Sequence, residues 1–250
     1  MHISLSPEIL GFIGTFPLTN TLLATLSLSG FVIAISLFVQ KKISLVPKKI
    51  QNAFESLIDF LLDLVNDVMQ DKNLSRRTFP LIASIFIFIW VINLFEVLPG
   101  MGTVGMFEIV HGEKEFIPFI RSASADMNMT LALTAVALFA IHYFGVSALG
   151  ASSYLGKFFV SPFKKPYGIG TFVGFLELVS EVSKILSFSF RLFGNIFAGE
   201  VLLMVMLVLV PYFVPIPFLF MELFVGFIQA LVFAMLTAVF IKMATVKAEH

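Results

Sequence analysis

The chain has 250 residues, 58% of them hydrophobic and only 13% charged, whereas an ordinary soluble domain carries roughly 25% charged residues, so a water-soluble globule is excluded. Sixteen Lys/Arg balance sixteen Asp/Glu, so the net charge points to no nucleic acid or acidic substrate, and what matters is where the charges sit. The absence of cysteine removes disulfides, thiolate metal sites and cysteine nucleophiles.

Uncharged runs at 9–40, 78–95, 127–156, 201–221 and 223–241 are each near or above the roughly 18 residues that mark a spanning helix. The sequence therefore predicts an all-α integral membrane protein: five transmembrane helices plus an amphipathic interfacial helix, in one membrane domain over 1–250. The first span is expected at 19–39. It has no basic residue before it and is too long for a signal peptide, so it reads as a retained span. Between spans one and two, Glu55, Asp59, Asp63, Asp67 and Asp71 recur every fourth residue with Leu and Val filling the gaps. That pattern predicts an amphipathic helix over 48–71, with its acidic face solvated and its apolar face on the interface or a partner helix.

A second span at 79–97 ends near Asn93 and Glu96, where Pro99-Gly100 and Gly102 open a polar loop to about Asp126. A third span follows at 127–149, then a Gly/Ser/Lys/Pro loop to Pro166. From 168 to 210 there is no proline, and Pro211, Pro215 and Pro217 are expected to break the chain before a last helix at 218–246. As one helix the 168–210 stretch would be roughly 64 Å long, about twice the hydrocarbon thickness. The C-terminal part is therefore expected to be a long, steeply tilted helix hairpin.

Basic residues suggest the orientation. Lys41, Lys42, Lys48, Lys49, Lys72, Arg76, Arg77, Lys157, Lys164, Lys165, Lys242 and Lys247 fall on one side of a five-crossing chain, leaving Lys114 and Arg121 in the opposite loop. The positive-inside rule then sets the N-terminus outside and the C-terminus in the cytoplasm.

Charged side chains in a spanning segment cost about 2.5–3.5 kcal/mol each on insertion scales, so a group of them needs a reason. The long helix carries Glu177, Glu181, Lys184, Arg191, Asn195 and Glu200, and the last helix carries Glu222 and Gln229. At 100° per residue, Glu177, Lys184, Ser187 and Asn195 fall within about 40° of Arg191, whereas Glu200, nine residues on, is about 180° away. Arg191 and Glu200 cannot pair within that helix. Acids are thus offered toward both membrane faces with one permanent cation between them, which suits two aqueous half-paths that do not connect.

The string Ser189-Phe190-Arg191-Leu192-Phe193-Gly194-Asn195-Ile196-Phe197-Ala198-Gly199-Glu200 resembles the RLFGNxxAGE signature of subunit a of the F-type rotary ATP synthase. Gln229-Ala230-Leu231-Val232-Phe233, following Glu222, resembles that family's second signature, and Ser124-Ala125-Asp126-Met127-Asn128-Met129-Thr130 the opening of its third span. The resemblance implies a non-catalytic, proton-conducting stator subunit in the lipid bilayer. It would face a ring of c subunits and be attached to peripheral-stalk b subunits, with no cofactor or metal of its own. It also implies that Arg191 matches the family's essential arginine. Asn195, Glu200, Glu222 and Gln229 then match polar half-channel positions, and Glu177, Lys184 and Ser187 match further ones on the cytoplasmic side. Some bacterial members carry His where Glu222 stands, so which of Glu200 and Glu222 carries the relay proton stays open. Length and loop charge favour a bacterial inner membrane over a mitochondrial one. An ion-coupled secondary transporter would show paired repeats, whereas the polar group here lies in the C-terminal half only. A purely structural subunit of a respiratory complex would give no reason for setting Arg191 and Glu200 on opposite faces.

Overall fold

The computed structural model describes residues 7–44, 49–98, 104–110, 113–119, 121–158, 169–210 and 212–246. Lys48, Pro99, Gly100, Gly102, Lys164, Lys165, Pro166, Pro211 and Lys247 lie outside them. Among the described residues five helices are long and apolar enough to cross a membrane: α1 (Asn20–Lys42), α3 (Lys72–Glu96), α4 (Met127–Leu149), α6 (Ile169–Leu209) and α7 (Pro215–Thr245). Between α1 and α3 runs α2 (Lys49–Met69), and a short α5 (Ala151–Leu155) follows α4. The fold is that of an all-α integral membrane protein with little sheet.

Where helices start is decided by local chemistry. The second span begins at Lys72, six residues before the start of the uncharged run, because Asp71 caps it by accepting from the amides of Asn73 and Leu74. Asp126 caps α4 in the same way through the amide of Asn128. The last helix begins at Pro215 rather than after Pro217. A proline in the first helical turn has no intrahelical amide bond to lose, so these prolines start the helix instead of preceding it. Pro80 sits inside α3.

Two small antiparallel hairpins, β1 (Ile9–Ile13) with β2 (Phe16–Thr19) and β3 (Gly105–Val110) with β4 (Glu113–Pro118), occupy segments that hydrophobic periodicity leaves as loops. Each is only two strands, so each depends on the helices for its stability.

The core lies where α3, α4, α6 and α7 meet. Phe86, Ile82 and Ile89 of α3 are fully buried against Ala230, Ala234 and Ala238 of α7, with Phe188, Leu192 and Ile196 of α6 closing the cluster. Small residues on α7 let its neighbours approach, the usual device where lipid removes the hydrophobic drive for helices to associate. The apolar stripe of α2 (Leu61, Val65, Met69) is buried in the same cluster, while Glu55, Asp59, Asp63 and Asp67 stay exposed. This amphipathic helix therefore packs on α3 and α7.

Polar contacts tie the two ends of the bundle. At one end Lys242 of α7 donates to the Met69 carbonyl, and Lys157 donates to the Ala244 and Val246 carbonyls at 3.1 and 2.8 Å. Burial lowers the affinity of the Lys157 amine for its proton. At the other end buried Thr21 of α1 donates to Asp126 at 2.6 Å, and Asn20 donates to the Pro118 carbonyl at 3.4 Å. These bonds anchor α1, whose remaining surface is largely exposed.

Candidate functional site

The long helix α6 brings its polar side chains to three different surroundings. Arg191 lies on an exposed face with Ser187, Asn195, Leu186 and Phe190. Its Nη2 donates to Ser187 Oγ at 3.1 Å, one turn away, as the i, i+4 spacing requires. Between α6 and α7, Arg191 also borders a small cavity with Phe188, Leu192, Gln229, Phe233 and Leu236, so Gln229 is the polar group that the last helix turns toward this arginine.

Lys184 and Glu177 share the helical stripe of Arg191 but lie near other groups, Glu177 close enough for its charge to act on Tyr154 and Lys157. Lys184 Nζ donates to Glu181 Oε1 at 2.7 Å and lies 5.1 Å from the centre of the Phe240 ring on α7, a cation–π distance. It is thus engaged with the bundle rather than presented beside Arg191. Glu181 also approaches His142 Nε2 of α4 at 3.8 Å, and His142 Nδ1 is 2.7 Å from the Tyr154 hydroxyl of α5. Burial, reinforced by the negative charges of Glu181 and Glu177, pushes the Tyr154 phenol up to about 12.

Glu200, on the far side of α6, belongs to a buried acid cluster. Its Oε1 accepts from Arg121 Nε at 3.3 Å, with the two side chains 23% and 11% exposed. Glu222 of α7 is 4% exposed and lies against Gly199, one residue before Glu200. Glu96, at the end of α3, is the third member, close enough to feel the charges of Glu222, Glu200 and Arg121, with Ser122 beside it. Among the described residues, neither carboxylate oxygen of Glu222, nor Oε2 of Glu200, has a hydrogen-bond partner.

Beside the cluster, Asn93 of α3 donates to the Gly226 carbonyl of α7 at 3.0 Å and accepts from buried Ser124 at 2.7 Å. A Cβ on Gly226 would stand 2.9 Å from Asn93 Cβ, so glycine is what allows α3 and α7 this approach. Among the described residues no group of three metal-ligating side chains is arranged to hold an ion.

Of the eight residues singled out from sequence, Arg191, Ser187, Asn195 and Gln229 gather at the exposed face of α6 and its edge with α7. Glu200 and Glu222 meet in the acid cluster, while Lys184 and Glu177 stand nearer the His142–Tyr154 group. Sequence reasoning missed Glu96, read there as the end of a span, and Arg121, counted there only as a loop charge. The available signal was an acid within the last turn of an apolar helix, at a depth where acids are costly.

A five-span bundle that holds three carboxyls and a guanidinium in its interior, and exposes a second guanidinium on its longest helix, defines a membrane protein with ionisable groups inside its spanning region. The chain belongs to the ATP synthase A chain family, which matches residues 10–242. It is similar to the ATP synthase subunit a of Sulfurihydrogenibium sp. (strain YO3AOP1), 34% identical over 210 residues covering 84% of this chain and 89% of the relative. It is also similar to that of Campylobacter jejuni subsp. jejuni serotype O:23/36 (strain 81-176), 30% identical over 217 residues covering 87% and 86%. With that of Helicobacter pylori (strain Shi470) it is 33% identical over 212 residues covering 83% and 81%. Its spanning helices and bacterial relatives make it a bacterial membrane protein.

Proposed function

We propose that this chain is the stator-side proton path of the synthase's membrane sector, non-catalytic itself, with two aqueous half-paths that meet a rotating ring of c subunits along α6. One arrangement carries the reading. Arg191 sits on the exposed face of α6, and the carboxyls of Glu200, Glu222 and Glu96 are buried behind the same helix.

A carboxyl on the ring is neutral while it faces lipid, and ionising it there is costly without a cation. Arg191 supplies that cation at every relevant pH. Its charge also repels a hydronium passing straight between the half-paths, so transfer goes around by rotation. Each proton carried across the full potential delivers about 2.3 kcal/mol per 100 mV. The acid cluster serves the half-path open to the outside, and Asn195 and Gln229 line the approach to Arg191. Ser187, Lys184 and Glu177 line the half-path to the cytoplasm, where the basic end of the bundle and the C-terminus lie. Peripheral-stalk b subunits hold the chain against the torque of the ring.

The test is ATP-driven proton pumping in inverted membrane vesicles, comparing wild type with Arg191→Ala at matched protein levels. Pumping lost while the ring still co-purifies supports the reading; pumping retained overturns it.

A further inference from the structure

We infer that His142 and Glu181 form a proton relay at the cytoplasmic mouth of the bundle, in which the imidazole exchanges protons with water and Tyr154 fixes the ring for that task. The inference rests on the proton-path reading above and deepens it, through side chains that none of the recognised motifs contains.

His142 of α4 is anchored on one side. Its Nδ1 lies 2.7 Å from the Tyr154 hydroxyl, and its Nε2 faces Glu181 Oε2 of α6 at 3.8 Å. Tyr154 is itself buried, against Gly145, which follows His142 on α4. A Cβ on residue 145 would overlap the phenol ring, so glycine is what lets α5 bring that ring onto α4. Glu181 is anchored in the same one-sided way. Its Oε1 accepts from Lys184 at 2.7 Å, while Oε2 is buried and, among the described residues, without a hydrogen-bond partner. The free carboxylate oxygen therefore faces the free side of the ring, across a gap that a shift of about 1 Å closes to hydrogen-bond length.

Exposure gives the pair a direction. The His142 side chain is 40% exposed, whereas the Glu181 oxygen that faces it is buried. The ring is thus the member that meets water, and imidazole suits the exchange because its charge changes between pH 5 and 8. In the synthesis direction Glu181, protonated from the half-path, gives the proton on Oε2 to the Nε2 lone pair and becomes a carboxylate. The imidazolium then releases that proton from Nε2 to water or a dissolved base on the cytoplasmic side. Pumping runs the same steps in reverse. Throughout, Nδ1–H donates to the Tyr154 oxygen, so Nε2 keeps its lone pair toward Glu181 whenever the ring is neutral. Tyr154 holds its own proton up to about 12, so the hydroxyl orients the ring without diverting the proton. Lys184 stays on Oε1, which leaves Oε2 as the oxygen that changes state. Among the described residues the other charges around the relay are Glu177 of α6 and Lys157 beyond α5, while Lys242 of α7 donates to the Met69 carbonyl of α2.

The test is ATP synthesis by inverted vesicles, whose outer surface is the cytoplasmic face, under an imposed potential in weakly buffered medium at matched subunit levels. The probe is imidazole added outside, against a non-titrating salt at equal ionic strength. His142→Ala should slow synthesis about fivefold or more, and imidazole should bring it to within about twofold of wild type, because the dissolved base takes the place of the missing ring. His142→Gln keeps a polar side chain there and should show the same loss and the same rescue, so it replaces the alanine variant if that one assembles poorly. Tyr154→Phe leaves the ring without its anchor and should lose about two- to threefold, again relieved by imidazole. Glu181→Gln should be as slow as His142→Ala and gain nothing from imidazole, since no carboxyl then delivers the proton.

Wild-type rates in the His142 variants overturn the inference. So does a loss that imidazole leaves unchanged, which is what a purely structural histidine gives. Imidazole relief of Glu181→Gln removes Glu181 from the relay and overturns it as stated, and an unaltered rate in Tyr154→Phe does the same for the fixing of the ring. Arg191→Ala is run alongside: retained synthesis there overturns the proton-path reading instead, so the two failures are distinguishable.

Discussion

The carboxyl of Glu222 occupies the space that a side chain on residue 199 would fill. A Cβ on Gly199 would stand 2.8 Å from Glu222 Oε1 and 3.3 Å from its Cδ. The contact is with the far end of a flexible side chain, so Gly199→Ala should leave the fold intact and displace the carboxyl by a few tenths of an ångström. We expect normal membrane levels and a several-fold lower synthesis rate, with Gly199→Val worse. Equal rates for all three would show that the position of this carboxyl does not limit transport.

Gly226→Ala should behave differently. The clash is with Asn93 Cβ, an atom close to the backbone that cannot swing away, so α3 and α7 must separate. Overpacking of this kind costs about 1–3 kcal/mol, and the bond from Asn93 to the Gly226 carbonyl would be lost with it. The expected outcome is faster heat inactivation of the solubilised complex and less subunit in the membrane.

The His142–Tyr154 bond links α4 to α5 and should be measurable by a double-mutant cycle. Tyr154→Phe and His142→Ala each remove the 2.7 Å bond, so their effects on heat inactivation should be coupled by about 1 kcal/mol. Tyr154 also has a pH signature. Its phenol holds its proton to about 12 instead of the usual 10.0. The unfolded chain gives up that proton first, so this contribution to stability is complete below pH 10 and declines as pH rises toward 12. Tyr154→Phe should flatten that part of alkaline inactivation; an unchanged profile would mean that the phenol is not held in this way.

Several features were legible from residue order because they depend on one helix at a time. The apolar runs marked the spans, and the fourfold spacing of Glu55 to Asp67 marked the exposed face of α2. Rotation along α6 separated Arg191 from Glu200. What could not be read is which side chains meet across helices. Arg121 is 79 residues from Glu200 in the chain, and no periodicity of one segment indicates that pairing. Glu96 looked like the close of a span because acids mark helix ends as readily as sites. The Lys72–Arg77 turn escaped because it is charged, although Asp71, the residue that caps it, was in view.

The length of α6 has a directional consequence. Its 41 residues make a rod of roughly 60 Å, about twice a hydrocarbon layer of roughly 30 Å, and lying wholly within that layer it would lean about 60° from the normal. The nine residues from Arg191 to Glu200 advance ~13 Å along that rod, and at such a lean only ~7 Å of this would be depth while ~12 Å would run sideways in the plane of the membrane. In the proposed cycle the level of the arginine and that of the acids are separated mainly along the direction in which a ring turns. A tilt that let an over-long helix fit would thus convert a difference in sequence position into an arc of rotation.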